Sequence, residues 1–136
     1  LGTSENLTNS FGGGSRPNVV PGCNKEVNGS AVLRVNHWFN TACFTQPPTF
    51  TFGDESRNDS ELRAAGVANW DFSTFKNIPI LPHGKTTLQF RAEFFNLFNR
   101  VQFGYPAHTQ GLSNFGIVSS QINNPRLIQF ALRLTY

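Results

Sequence analysis

Ile128-Gln129-Phe130-Ala131-Leu132-Arg133-Leu134-Thr135-Tyr136 ends the sequence with an apolar residue at every even position and an aromatic at the last. Alternation at period two is a strand signal. It sets Ile128, Phe130, Leu132, Leu134 and Tyr136 on one face and Gln129, Ala131, Arg133 and Thr135 on the other. Such a strand suits an outer-membrane β-barrel, with the apolar face toward lipid and the polar face toward the lumen. It suits equally a sandwich strand with one face in a core, and alternation alone leaves both open.

Composition adds to the strand reading. The 136 residues include 12 Gly, 8 Pro, 14 Phe and no Met, and only 14% are charged. A chain so rich in turn formers and aromatics fits a β protein with long surface loops better than a helical enzyme. The net charge of +3 is mild and scattered, with no basic stripe, so a nucleic-acid partner is not expected. No stretch approaches the ~20 apolar residues of a transmembrane helix. With Leu1 at its start and no Met anywhere, the chain is expected to be a processed or mature form.

The fold class expected is all-β: antiparallel strands with long loops, either barrel-derived or an open sheet whose edges neighbouring subunits complete. Residues 1–66 carry Gly12-Gly13-Gly14, Pro17, Pro21-Gly22, Pro47-Pro48 and Gly53, with short apolar runs at Ala31 to Val35 and Trp38 to Phe44, and read as loops with a few short strands. Residues 67–136 read as an antiparallel region. Its candidate strands are Val67 to Ile80, ended by Pro79 and Pro82; Thr86 to Phe98; Phe115 to Ile122; and the terminal one after the turn Asn123-Asn124-Pro125. In Thr86 to Phe98 a helix is the rival, since Phe94, Phe95, Leu97 and Phe98 fall near helical spacing. The alternation of Leu88, Phe90, Ala92 and Phe94 against Thr87, Gln89, Arg91 and Glu93 favours strand. Packing is the default use of the aromatics, so Trp38, Trp70, Phe72, Phe90, Phe94, Phe130 and Leu132 are expected to be buried, within a subunit or between subunits.

Chemistry-bearing residues are sparse. Cys23 and Cys43 lack further Cys or His at zinc spacing, so a disulfide is the better reading than two free thiols. It would add about 3 kcal/mol in the chain-entropy model and implies an oxidising compartment. His37, His83 and His108 have no Ser, Cys or carboxylate beside them in a nucleophile pattern, and no catalytic, cofactor or metal residue is expected. Asp54, Glu55, Asp59 and Glu61, interleaved with Arg57 and Arg63, miss EF-hand spacing and read as a solvated charged loop. Gly12-Gly13-Gly14-Ser15 lacks the Lys-Ser/Thr of a P-loop and reads as a flexible joint.

Several blocks carry a family resemblance: Arg16-Pro17-Asn18, Trp38-Phe39-Asn40-Thr41-Ala42 with Phe44, Trp70-Asp71 through Phe75-Lys76-Asn77, Leu88 to Asn96, Phe98-Asn99, Phe103-Gly104, and Asn124-Pro125-Arg126 through Gln129-Phe130. Together they resemble the C-terminal end of TonB-dependent-receptor-like outer-membrane proteins, most of all the large acidobacterial receptors with a carboxypeptidase-regulatory-like N-terminal domain. The likeness runs from about Arg16 and is strongest from Val67 to Tyr136. It implies the last strands and outward loops of a roughly 22-stranded barrel, with the terminal aromatic read by the barrel-assembly machinery. No plug domain, energy-coupling box or upstream barrel accompanies them. The cysteine pair departs from the family pattern and points to a specialised branch.

The smallest closed membrane barrels use about eight strands, and this chain has about four to six. Its free edges would then pair with another chain. The first expectation is therefore a non-enzymatic subunit, cut from a receptor-like precursor, that polymerises by strand addition into an extracellular or cell-surface filament. Ile128, Phe130, Leu132, Leu134 and Tyr136 would form the assembly strand, with copies of itself as the partner. The alternative is the C-terminal segment of an intact outer-membrane transporter, its even-numbered face in lipid.

Overall fold

The alternating stretches of the sequence become the long strands, and Pro21-Gly22 and the residues after Pro48 form turns. The computed structural model describes residues 1–11, 14–81 and 86–136. In chain order these contain β1 (Gly2–Thr3), β2 (Asn18–Val19), a single helical turn α1 (Ala31–Arg34), β3 (Phe44–Thr45), β4 (Phe72–Pro79), β5 (Thr87–Phe95), β6 (Thr109–Gln110) and β7 (Leu127–Thr135). The fold is all-β, in open sheets of which none closes into a barrel. Pairing is antiparallel except where β1 runs parallel to β6. Gly12, Gly13, Pro82 and His83, which belong to the expected joint, the expected strand stop and the histidine set, lie outside the described residues.

Contacts divide the chain into two units. The first comprises Leu1–Ala65 and Phe103–Ser120, and the second comprises Gly66–Gln102 and Gln121–Tyr136. The reading of 67–136 as one region therefore needs correction for residues 103–120. Their side chains Phe115 and Val118 pack into the aromatic cluster of the first unit.

That cluster is built on Trp38, Phe39, Cys43, Phe44 and Val118. Phe39, Phe44 and Phe115 meet edge to face in a triangle with centroids 5.2 to 5.9 Å apart, the geometry that ring quadrupoles favour. The buried indole of Trp38 satisfies its N–H on the Arg63 carbonyl at 2.8 Å, while the Arg34 guanidinium stacks over its face at 4.6 Å. Cys23 and Cys43 form the expected disulfide. Gly53 is required where it stands, because a Cβ there would collide with the Arg16 carbonyl.

The expected strand from Phe115 to Ile122 does not form. Gly116 takes a positive φ of 78°, breaking the alternation, and the nearby amides of Phe115 and Ile117 donate to Leu112 and Asn114 in successive turns. The run Trp38 to Phe44 is likewise bent. Asn40 accepts from the Ala42 N–H and caps a short 3₁₀ turn at Thr41–Cys43.

In the second unit β4, β5 and β7 form one antiparallel sheet in that order. β5 ends at Phe95, not Phe98, because Asn96 enters the left-handed region at φ 52°, as Asn tolerates. The Asn96 amide then ties the strand ends together. It donates to the carbonyls of Arg100 and Asn124 and accepts from the Arg100 N–H, while its own backbone N–H donates to Asp71. Asn123 and Asn99 do the same for Gln102 and Arg126. Pro79, which has no N–H to give, is the last residue of the edge strand β4.

Candidate functional site: a two-faced sheet

Residues opposite one another in an antiparallel sheet share a face, so the register fixes both faces. Phe72 pairs with Phe94 and Phe94 with Ile128; Ala92 pairs with Phe130, Phe90 with Leu132, and Leu88 with Ile78 and Leu134. The even positions of all three strands thus make one continuous apolar surface, interrupted only by Thr74 and Lys76 on β4. Within it Phe90 stacks on Phe130 at 6.0 Å and Phe72 meets Phe94 at 6.1 Å. The opposite face carries Ser73, Asn77, Gln89, Arg91, Glu93, Gln129, Arg133 and Thr135. On it Gln89 donates to Asn77 at 2.9 Å and Arg91 pairs with Glu93 at 3.0 Å. Phe75, Phe95 and Leu127 are the large apolar exceptions on this side, with the small Ala131 and the terminal Pro79.

The apolar surface stands open. Its exposed members run from 40% at Phe90 to 69% at Leu132, with Leu88 and Phe94 half-buried and Ala92 buried between them; of the expected buried set only Trp38 lies in a core, while Trp70, Phe72, Phe90, Phe130 and Leu132 are exposed. Burying a side chain of this size is worth about 1.5–3 kcal/mol, so a face of this many residues needs a cover other than water. Within the assembly strand, Ile128, Phe130, Leu132 and Leu134 lie on this face of β7, and Tyr136 follows the last strand residue.

Dimensions and layout agree with a membrane wall. The strands run eight, nine and nine residues, close to the ~9–11 that a tilted strand needs to cross a bilayer. By register, Phe72, Phe95 and Leu127 share one end of the sheet, and there residues 1–71 lead into β4 and the long connection 96–126 joins β5 to β7. At the other end only residues 80–86 link β4 to β5. A short connection at one rim and a long one at the other match the layout of outer-membrane barrels. Trp70 and Phe98 pack edge to face at 6.3 Å beside the loop-bearing rim, and Tyr136 lies at the other, where aromatic girdles belong. β4 and β7 each have one neighbour, which leaves two free edges.

The first unit holds a second constellation. Lys25 Nζ donates to Asp59 Oδ2 at 2.8 Å, and stands 3.7 Å from Glu55 Oε2 and 3.5 Å from Glu61 Oε2. The expected solvated charged loop is thus corrected for Glu55, whose side chain is fully buried. Burial raises the Glu55 pKa, the Asp59 carboxyl adds to the rise, and Lys25 offsets only part of it. Burial also works against the charged forms of Lys25 and Asp59, but their mutual hydrogen bond and neighbouring charges hold Lys25 above its ordinary value and Asp59 below its own. No group of described His, Cys, Asp and Glu side chains is arranged to hold a metal ion. Lys25 was missed in the sequence because it lies far along the chain from the acids it meets. His37 and His108 are both exposed.

An outer membrane beta barrel domain model matches residues 1–129 of the chain. No curated protein and no solved structure matches it. No helix among the described residues is long and apolar enough to cross a membrane, so the strands are the elements to be weighed against lipid. Taken with the two-faced sheet, the match makes this an outer-membrane β-barrel region, and the chain belongs to the outer membrane beta barrel domain family.

Proposed function

We propose that the chain supplies lipid-facing wall strands to a TonB-dependent-receptor-like barrel in the bacterial outer membrane, with the disulfide-bonded first unit formed by that barrel's outward loops. The continuous apolar face of β4, β5 and β7, exposed over most of its even positions and backed by a polar face, is the observation that carries this reading. Lipid covers the first face, a polar lumen hydrates the second, and the free edges of β4 and β7 pair with further barrel strands. The barrel-assembly machinery would be its folding partner. Oxidation of Cys23 and Cys43 suits an envelope compartment.

The two free edges also favour a second reading, in which β7 of one copy pairs with β4 of the next and the chain polymerises outside the cell. Fractionation separates the two. On the barrel reading the protein sediments with outer membranes, resists a carbonate wash and needs detergent to disperse. Regular filaments in detergent-free material, seen by negative-stain electron microscopy, would contradict it and support the polymer.

A further inference from the structure

Lys25, Asp59 and Glu55 bring an amine, a carboxyl carbon and a buried acid together on pinned backbone. Lys25 Nζ lies 2.8 Å from Asp59 Oδ2, one bond from Cγ. The other oxygen, Oδ1, accepts the Glu61 backbone N–H at 2.8 Å, a donor placed where negative charge would grow if Cγ were attacked. Glu55 Oε2 is 3.7 Å from Nζ, its side chain has no exposed surface, and neither of its carboxylate oxygens has a hydrogen-bond donor. The Phe44 ring lies 5.8 Å from Nζ and walls the site with apolar surface. A structural ion pair would need no third acid buried beside it, and an ionised Glu55 would leave three carboxylates around one ammonium.

The backbone holds these groups in place. Asn40 N–H donates to the Lys25 carbonyl at 2.9 Å, two residues from the disulfide at Cys23. Glu55 N–H donates to the Pro17 carbonyl, and Arg16 Nη1 donates to the Glu55 carbonyl, each at 3.1 Å. Holding amine and carboxyl in fixed contact is the condition under which intramolecular reactions reach very high effective concentrations.

We propose that the first unit forms an internal isopeptide bond between Lys25 Nζ and Asp59 Cγ, with Glu55 as the proton relay. The reactive form, reached against the directions in which the pair is held, arises when one proton passes from the Lys25 ammonium to the Asp59 carboxylate and leaves a neutral amine beside a carboxylic acid. The nitrogen lone pair attacks Cγ while the Glu61 N–H holds Oδ1. Glu55, protonated at the outset, donates to the departing Oδ2 and takes a proton from nitrogen in return. The Nζ–Cγ bond forms, the Cγ–Oδ2 bond breaks, and Oδ2 leaves as water carrying one proton that began on the ammonium and one from Glu55, which nitrogen replaces. Nothing is oxidised or reduced and Glu55 ends as it began. The product ties the segment beside the disulfide to the 55–61 loop by a bond that reductants do not cleave.

Intact mass spectrometry of the full chain, isolated with its cysteines unreactive to a thiol reagent and then reduced, tests the proposal. The expected mass is one water below that of the sequence, with a peptide joining Lys25 to Asp59 in the digest. Lys25→Arg, Asp59→Ala and Glu55→Ala each restore the full mass. A succinimide at Asp59-Ser60 would also lose one water, but it would persist in Lys25→Arg and give no joined peptide. That outcome, or a full mass for the disulfide-bonded native chain, would overturn the proposal.

Discussion

At the scale of the residue, Trp38 and Glu55 show two ways of being buried. Trp38 brings area and settles its one polar atom on Arg63, so Trp38→Ala should cost about 3–5 kcal/mol, read as a lower urea midpoint for the first unit. Glu55 brings a charge that burial disfavours. Its raised pKa means that the neutral acid is the form suited to the fold, so its contribution is complete below the ordinary carboxylate range and is lost as pH rises through the raised value. Asp59, lowered, runs the other way and loses its contribution as pH falls. In a Lys25→Arg background, which cannot cross-link, adding Glu55→Gln should abolish the alkaline-side decline and keep the acid-side one in thermal melts across pH. An unchanged profile would show that Glu55 is not held neutral. The cysteine pair was legible from the sequence because two cysteines have few alternatives. Lys25 with Asp59 was not, because an ion pair between distant loops leaves no periodic trace.

At the scale of the element, period two located the long strands and their faces, since register in a sheet transmits one strand's parity to the next. It failed where a local backbone requirement intervened. Gly116 at positive φ turned an apolar run into successive turns, and Asn96 stopped β5 before Phe98. Those Asn residues looked like ordinary polar punctuation, yet they carry the hydrogen bonds that finish the strand ends. Parity gives a direct test. Leu132 sits near the middle of β7 on the apolar face, so Leu132→Arg in the membrane-assembled protein should cost about 2–4 kcal/mol. Gln129→Arg, on the polar face, should change stability little. Equal losses at the two positions, measured by urea unfolding from vesicles, would rule out a lipid-facing even side.

At the scale of the whole molecule, the all-β class and the barrel likeness were legible because composition, alternation and block order agree. The division into units was not, because residues 103–120 belong by packing to a core whose other members precede residue 66. Aromatic content announced burial without saying by what; the even face of the sheet stands open among the described residues and needs a cover. The central claim is that this cover is lipid. Single cysteines placed at Phe130 and at Gln129, labelled with a fluorophore in the protein assembled in outer membranes, test it most directly. The label at 130 should be quenched by quenchers carried on lipid acyl chains and be shielded from a water-soluble quencher, and the label at 129 should show the reverse. Shielding of position 130 from both quenchers would mean that protein covers the face, and would contradict the account.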